Sequence, residues 1–276
     1  MRVILKDTYA DACYWVALYI KNRILKHPKG KKFVLGLPTG STPIGIYKQL
    51  ILFHQNNEIS FKNVITFNMD EYVGLDGTHD QSYEYFMYSN FFNHIDIPKE
   101  NINLLNGMCK DPLIECQRYE NKIKECGGID LFLMGIGSDG HIAFNEPGSS
   151  LQSETRIKTL AEETIVDNCR FFKSIDEVPK QALTVGIKTV MDAREVILVA
   201  SGIHKAIAIK ECIEGSISNQ FTCTAIQNHP KAMVVCDEMA TYELKYKTVR
   251  YYKNLQKMVN LTGLPKKRVG APLSKL

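Results

Sequence analysis

The stretch Gly135–Gly148, GIGSDGHIAFNEPG, sets Asp139, His141 and Glu146 close together on a glycine-rich frame, just after an apolar run. A hydrogen-bonded Asp–His–Glu relay would fix the imidazole tautomer and raise its basicity, the arrangement a proton shuttle needs. The same three side chains could instead ligate iron or manganese, although the helical His-Glu-x-x-His spacing is absent. A tight polar loop facing water is the remaining reading. Gly135 and Gly137 would let the backbone come close to a substrate. No Gly-x-Ser-x-Gly elbow is present, which disfavours a serine nucleophile of the α/β-hydrolase kind.

Two further stretches carry candidate chemistry. In LGLPTGSTPIGIY (35–47), Thr42 reads as an N-cap and Pro43 suits the first helical position. Free N–H groups, the helix dipole and the hydroxyls of Thr39, Ser41 and Thr42 around Gly40 would favour an anion. A capped helix start with no ligand fits the same residues, and the Gly-Lys-Ser/Thr ending of a Walker loop is missing. In TFNMDEYVGL (66–75), Asp70 and Glu71 leave an apolar run. Desolvation there would raise a carboxyl pKa and make a better base. Asp70 continues into the crevice while alternation points Glu71 elsewhere; a helix cap or a surface acid is the alternative. Arg170 and Lys205 are candidate cations for an anionic substrate. Spacing alone leaves Arg170 an ordinary surface residue, and Lys205 at a helix start opposes the dipole unless an anion compensates.

The elements that would position these residues are legible as near-continuous apolar runs at 32–37, 63–69, 129–135, 195–201 and 232–236, the pattern of strands buried on both faces. Helical patterns lie between them. Residues 7–27 place Cys13, Val16, Ala17, Ile20 and Ile24 on one face, and 43–55, 112–125, 203–214 and 240–256 read similarly. Alternating strands and helices predict an α/β fold, an open and mainly parallel sheet with helices on both faces (Rossmann-like), in a single domain over 1–258. Residues 259–276 read as a poorly ordered tail. Residues 70–84 are the least regular internal stretch. In such a sheet ligands bind beyond the carboxyl ends of strands, where the three stretches above begin.

Composition narrows the function classes. The chain has 276 residues, 45% hydrophobic and 23% charged, enough for one sizeable core. A net charge of +4 does not mark a nucleic-acid protein. Eight cysteines form no Cys-x-x-Cys pair, which argues against a zinc ribbon or dithiol centre. The N-terminal residues lack a secretory pattern, and no apolar run approaches the ~18 residues that would span a membrane. The expectation is a cytoplasmic protein with reduced thiols.

Taken together, LGLPTGSTP, TFNMDEYVGL, GIGSDGHIAFNEPGSS, TRIKTL, VPKQALTVG, MDAREV, HPKAMVVCDE and ELKYKTVRYY resemble the glucosamine-6-phosphate deaminase family over residues 1 to 258. The resemblance implies conversion of glucosamine 6-phosphate and water to fructose 6-phosphate and ammonia, with no metal or organic cofactor. His141, tuned by Asp139 and Glu146, would open the sugar ring. Asp70 would move the proton from carbon 2 to carbon 1. Thr39, Gly40, Ser41, Thr42, Arg170 and Lys205 would hold the phosphate. It further implies a homo-oligomer, a hexamer activated by N-acetylglucosamine 6-phosphate at Ser149, Arg156, Lys158, Thr159 and Tyr251. An acid at Glu154 would repel that anionic effector or redirect Arg156. The rivals are a 6-phosphogluconolactonase, which would lack the FNMDEYVGL and DGHIAFNEP pairing, and a sugar-phosphate-sensing regulator. A regulator needs a DNA-binding module, and residues 1–31 are expected to hold one helix before the first sheet strand.

Overall fold

The computed structural model describes residues 1–169 and 172–258; Arg170 and the expected tail 259–276 lie outside the described residues. Along the chain run β1 (Arg2–Lys6), α1 (Tyr9–Leu25), β2 (Phe33–Leu37), α2 (Ser41–Gln55), β3 (Val64–Asn68), β4 (Asp70–Tyr72) and α3 (Tyr83–Asn90). They continue with β5 (Ile102–Asn103), α4 (Pro112–Glu125), β6 (Leu131–Met134), β7 (Arg156–Thr159), α5 (Glu162–Cys169), β8 (Gln181–Thr184) and α6 (Ile187–Met191). The last are β9 (Val196–Ala200), α7 (Ala206–Glu214), β10 (Ala232–Asp237) and α8 (Tyr246–Met258).

Seven strands form one parallel sheet in the order β1-β10-β9-β6-β2-β3-β5. The period-two alternation of each strand divides its side chains between two cores. Phe33, Leu35, Leu37, Leu131, Leu133, Ile197 and Val199 pack with α1 and α2 on one face. Val34, Phe132, Met134, Val196 and Leu198 pack with Tyr119 and Ile123 of α4 and with Ala208 and Ile209 of α7 on the other. The expected α/β architecture is therefore present, and each of the five expected strands forms.

Three features depart from the sequence reading. The first sheet strand is β1, which precedes α1 and pairs with β10 at the sheet edge; five residues joined directly to a capped helix give too short a pattern to read. Residues 1–31 still hold one helix. β5, two residues long, leaves no readable pattern either. A second, antiparallel sheet of order β4-β8-β7 stands beside the main one. It arises because the chain leaves the main sheet at Met69. The Met69 N–H donates to Leu37 O (3.1 Å) while its carbonyl accepts from Val185 N (2.8 Å), so one residue belongs to both sheets.

From β2 the chain winds outward through β3 to β5, and from β6 it winds the other way through β9 to β10, outside which the N-terminal β1 pairs. The direction reverses between the adjacent strands β2 and β6, and their carboxyl ends open a crevice there.

Candidate active site

A cavity of about 220 Å³ occupies this crevice. Its walls include Thr39, Gly40, Ser41 and Thr42 after β2, Met69 and Asp70 after β3, Gly135, Gly137 and His141 after β6, and Lys205 after β9. Strands far apart in sequence thus deliver most of the predicted site to one place.

The turn after β2 differs in detail from its expected form. The N-cap is Gly40 at φ +89°, and the helix starts at Ser41, so Thr42 and Pro43 are its second and third residues. A left-handed φ suits glycine and strains other residues, which fixes the boundary at Gly40. Pro43 is tolerated because the third N–H of a helix has no intrahelical partner to lose. No side chain caps this terminus. The Tyr9 hydroxyl of α1 accepts from Gly45 N (2.9 Å) and donates to Thr42 O (2.9 Å), tying the first turns of α1 and α2 together. The result is a helix N-terminus aimed into the cavity, suited to an anion.

Asp70 is buried and faces the cavity; one of its oxygens, Oδ1, is covered and has no hydrogen-bond partner. Burial, with the neighbouring Glu71 charge second, pushes its pKa up to about 8. Glu71 points away as alternation requires. Its carboxylate accepts from the backbone N–H of Tyr72 (2.8 Å), Tyr83 (2.9 Å) and Glu84 (2.9 Å), capping α3. Burial pushes Glu71 up to about 7, held back by those three N–H groups. One acid is satisfied and structural; its neighbour is desolvated and available.

The loop after β6 closes on itself. Gly137 N donates to His141 O and Gly140 N to Gly137 O, while Cys223 N donates to Gly140 O. His141 Nδ1 lies 2.6 Å from Asp139 Oδ1, and the His141 N–H reaches the same oxygen at 3.2 Å. A Cβ on Gly137 would sit 2.4 to 2.6 Å from the His141 ring and Asp139 Oδ1, so the pair requires glycine there. Burial alone would raise the Asp139 pKa, but the contact with His141 outweighs it and holds the carboxyl below its ordinary value. Nδ1 is covered and close to Asp139, though not aligned for a hydrogen bond, so Nε2 is the nitrogen left for chemistry.

Glu146 is not brought to His141, and the expected three-residue relay is a pair in this structure. The Glu146 carboxylate accepts from Ala161 N (2.8 Å) and Thr164 Oγ1 (2.7 Å), binding the start of α5. The physical reason is that these two donors satisfy an otherwise buried acid. Asn145 redirects the chain before it: its amide donates to Ile142 O (2.9 Å) and Val185 O (2.8 Å). Among the described residues no group of three or more His, Cys, Asp and Glu side chains could hold a metal.

The wall also includes Tyr83, Phe144, Thr164 and Asn168, none of which stands among the expected site residues. Thr164 and Asn168 are four apart on α5, a face the short helix does not announce; Tyr83 comes directly after Ser82, which caps α3 and is a readable signal.

The proposed effector residues fall on separate elements. Arg156, Lys158 and Thr159 lie on β7, and Ser149 is buried with its Oγ unpartnered. Tyr251 is exposed on α8, which packs against β1 at the edge of the main sheet. The acid at Glu154 does not redirect Arg156. Its carboxylate pairs with Lys188 (3.4 Å), and Arg156 donates to Asn145 Oδ1 (2.8 Å).

A helix N-terminus for an anion, a desolvated carboxylate and an oriented imidazole around one crevice define an acid–base site for a small anionic substrate. The chain belongs to the family described as glucosamine-6-phosphate isomerases/6-phosphogluconolactonase, whose model matches residues 6–236. A glucosamine-6-phosphate deaminase of Treponema denticola is 56% identical over 260 residues, covering 93% of this chain and 96% of that protein. The solved structure of a monomeric glucosamine-6-phosphate deaminase superposes with a TM-score of 0.83 at 42% identity, covering 87% of this chain and 98% of the other. The 6-phosphogluconolactonase of Trypanosoma cruzi superposes with a TM-score of 0.71 at 20% identity over 88% of this chain and 97% of its own, a likeness of fold alone. No described helix is long and apolar enough to cross a membrane.

Proposed function

We propose that this chain converts glucosamine 6-phosphate and water to fructose 6-phosphate and ammonia by aldose–ketose isomerisation coupled to deamination. One observation carries the reading: the desolvated carboxylate of Asp70 shares a cavity with His141, whose Nδ1 lies beside Asp139. His141 moves a proton between the anomeric hydroxyl and the ring oxygen, and Asp139 fixes its tautomer. Asp70 takes the proton from carbon 2 of the open sugar and returns it to carbon 1. The imine left at carbon 2 is hydrolysed by water to the ketone and ammonia. Glu146 is assigned to holding α5 over the cavity, since both of its bonds, from Ala161 and Thr164, fall on Oε1.

The phosphate is assigned to the turn Thr39–Thr42 with Lys205, and Arg170 is proposed as a further cation. Anchoring a remote group in this way spends binding energy on orientation. No cofactor takes part in this reading. A cytoplasmic homo-oligomer, hexameric by resemblance and activated by N-acetylglucosamine 6-phosphate at Ser149, Arg156, Lys158, Thr159 and Tyr251, completes the proposal.

The test is release of ammonia and fructose 6-phosphate from glucosamine 6-phosphate, with and without EDTA and with and without the effector, alongside light scattering for the oligomer. Release that survives EDTA is expected. No release in any arm would return the lactonase and sensor readings, and activity lost with EDTA would return the metal reading. Unchanged rates at low substrate on adding the effector would remove allostery.

A further inference from the structure

We infer that Asp237 is a positioning residue for substrate phosphate, acting through Lys205; the inference rests on the phosphate reading above. Asp237 ends β10, beside β9, and is 6% exposed. A buried carboxylate close to an anion site is electrostatically unfavourable, so its presence there calls for a geometric reason. Its oxygens face the turn after β9. Oδ2 accepts from Ser201 Oγ (2.5 Å), and Gly202 N donates to both oxygens (3.0 and 3.2 Å). Oδ1 also accepts from Ala240 N (3.0 Å). Four charge-assisted bonds offset the cost of desolvating the acid.

The consequence runs along the chain. Gly202 sits at φ +88°, where the backbone reverses. Its carbonyl accepts from Lys205 N (3.1 Å), closing the single turn Ile203–Lys205. Asp237 therefore holds the residue on which that turn rests, and the turn places Lys205 on the cavity wall. The carboxylate meets none of the cavity itself; what it fixes is the origin of the lysine.

A double-mutant cycle tests this, with KM for glucosamine 6-phosphate, kcat, and competitive inhibition by inorganic phosphate as readouts. Asp237→Asn keeps the shape and removes the charge. It is expected to raise KM about tenfold and weaken phosphate inhibition by the same factor, with kcat within about twofold. In a Lys205→Ala background the same substitution is expected to change neither. If Lys205→Ala alone leaves KM and phosphate inhibition untouched, the phosphate reading of Lys205 fails. If Lys205→Ala weakens both but Asp237→Asn multiplies with it in full, or leaves phosphate inhibition unchanged, the reading stands and the role of Asp237 is overturned. Should Asp237→Asn lack a cooperative melt, Ser201→Ala removes one anchoring bond and is expected to give the same non-additive pattern at about threefold; full additivity there overturns the proposal equally.

Discussion

One wall of the cavity hangs from the carboxyl ends of β2, β3 and β6, in the middle of seven parallel strands buried between two large cores. The facing wall is α5, eight residues long, next to a cluster of four buried side chains, Tyr72, Phe144, Leu160 and Ala182. Glu146 joins the two by bonding Ala161 and Thr164. The contrast separates two tasks. Proton transfer needs groups fixed to a fraction of an ångström, and the strand ends supply that. A wall with few buried contacts opens at lower free energy, which suits passage of substrate. Hydrogen exchange would break this comparison if amides of Ile165 and Val166 proved as protected as those of Leu133 and Met134.

The largest effects should come from the fixed wall. Asp70→Asn is expected to lower kcat by at least about a thousandfold and to stop exchange of the carbon 2 proton with solvent. Retained exchange would remove Asp70 as the base. His141→Gln should cost about a hundredfold on the closed sugar and far less on an open-chain analogue. Equal losses on both substrates would contradict a ring-opening role.

The pH dependence sharpens the same point. A carboxylate acts as a base only when ionised, and burial pushes the pKa of Asp70 up to about 8. The ratio kcat/KM, which reports the free enzyme, should therefore fall as pH drops through about 8. Stability should carry the opposite sign. Burial opposes ionisation in the folded state, so the carboxyl subtracts nothing below its unfolded value near 4. Its penalty then grows as pH rises and is complete above the folded value. Asp70→Asn removes that penalty. The Tm advantage of the variant should widen between about pH 4 and about pH 9, and a constant or shrinking advantage would show that Asp70 is not desolvated.

The two walls also differ in how far the sequence announces them. The strands behind the fixed wall are continuous apolar runs, and each run gives way to a short, chemically distinctive segment: PTGST, DE, GIGSDGH. Asp70 and His141 can be read from that juxtaposition because a parallel sheet gathers its strand ends. The alternation of Asp70 and Glu71 is likewise readable from a period of two. Glu146 departs from its expected place because nearness in sequence to His141 is not nearness in space. Its partners, Ala161 and Thr164, are fifteen and eighteen residues further on. The antiparallel sheet is hidden for a similar reason: β4, β7 and β8 are three or four residues long and pair only through tertiary context. The helix boundary lies at Gly40, two residues before the expected cap, because a glycine free to adopt positive φ outranks a threonine able to cap.

The smallest effect is the one that decides what Glu146 does. Thr164→Val keeps the shape of the side chain and removes its 2.7 Å donation to the Glu146 carboxylate, leaving Ala161 N as the remaining donor. If Glu146 anchors α5, the variant should raise KM about threefold, leave kcat within about twofold, and speed exchange of α5 amides. If Glu146 instead belongs to the relay, the lost bond frees it to approach His141, and kcat on the closed sugar should rise while the open-chain analogue reacts unchanged. The expected outcome is the first. Both donors are half-buried at the junction of the walls, and an acid that leaves them must find equal partners beside an imidazole already held by Asp139.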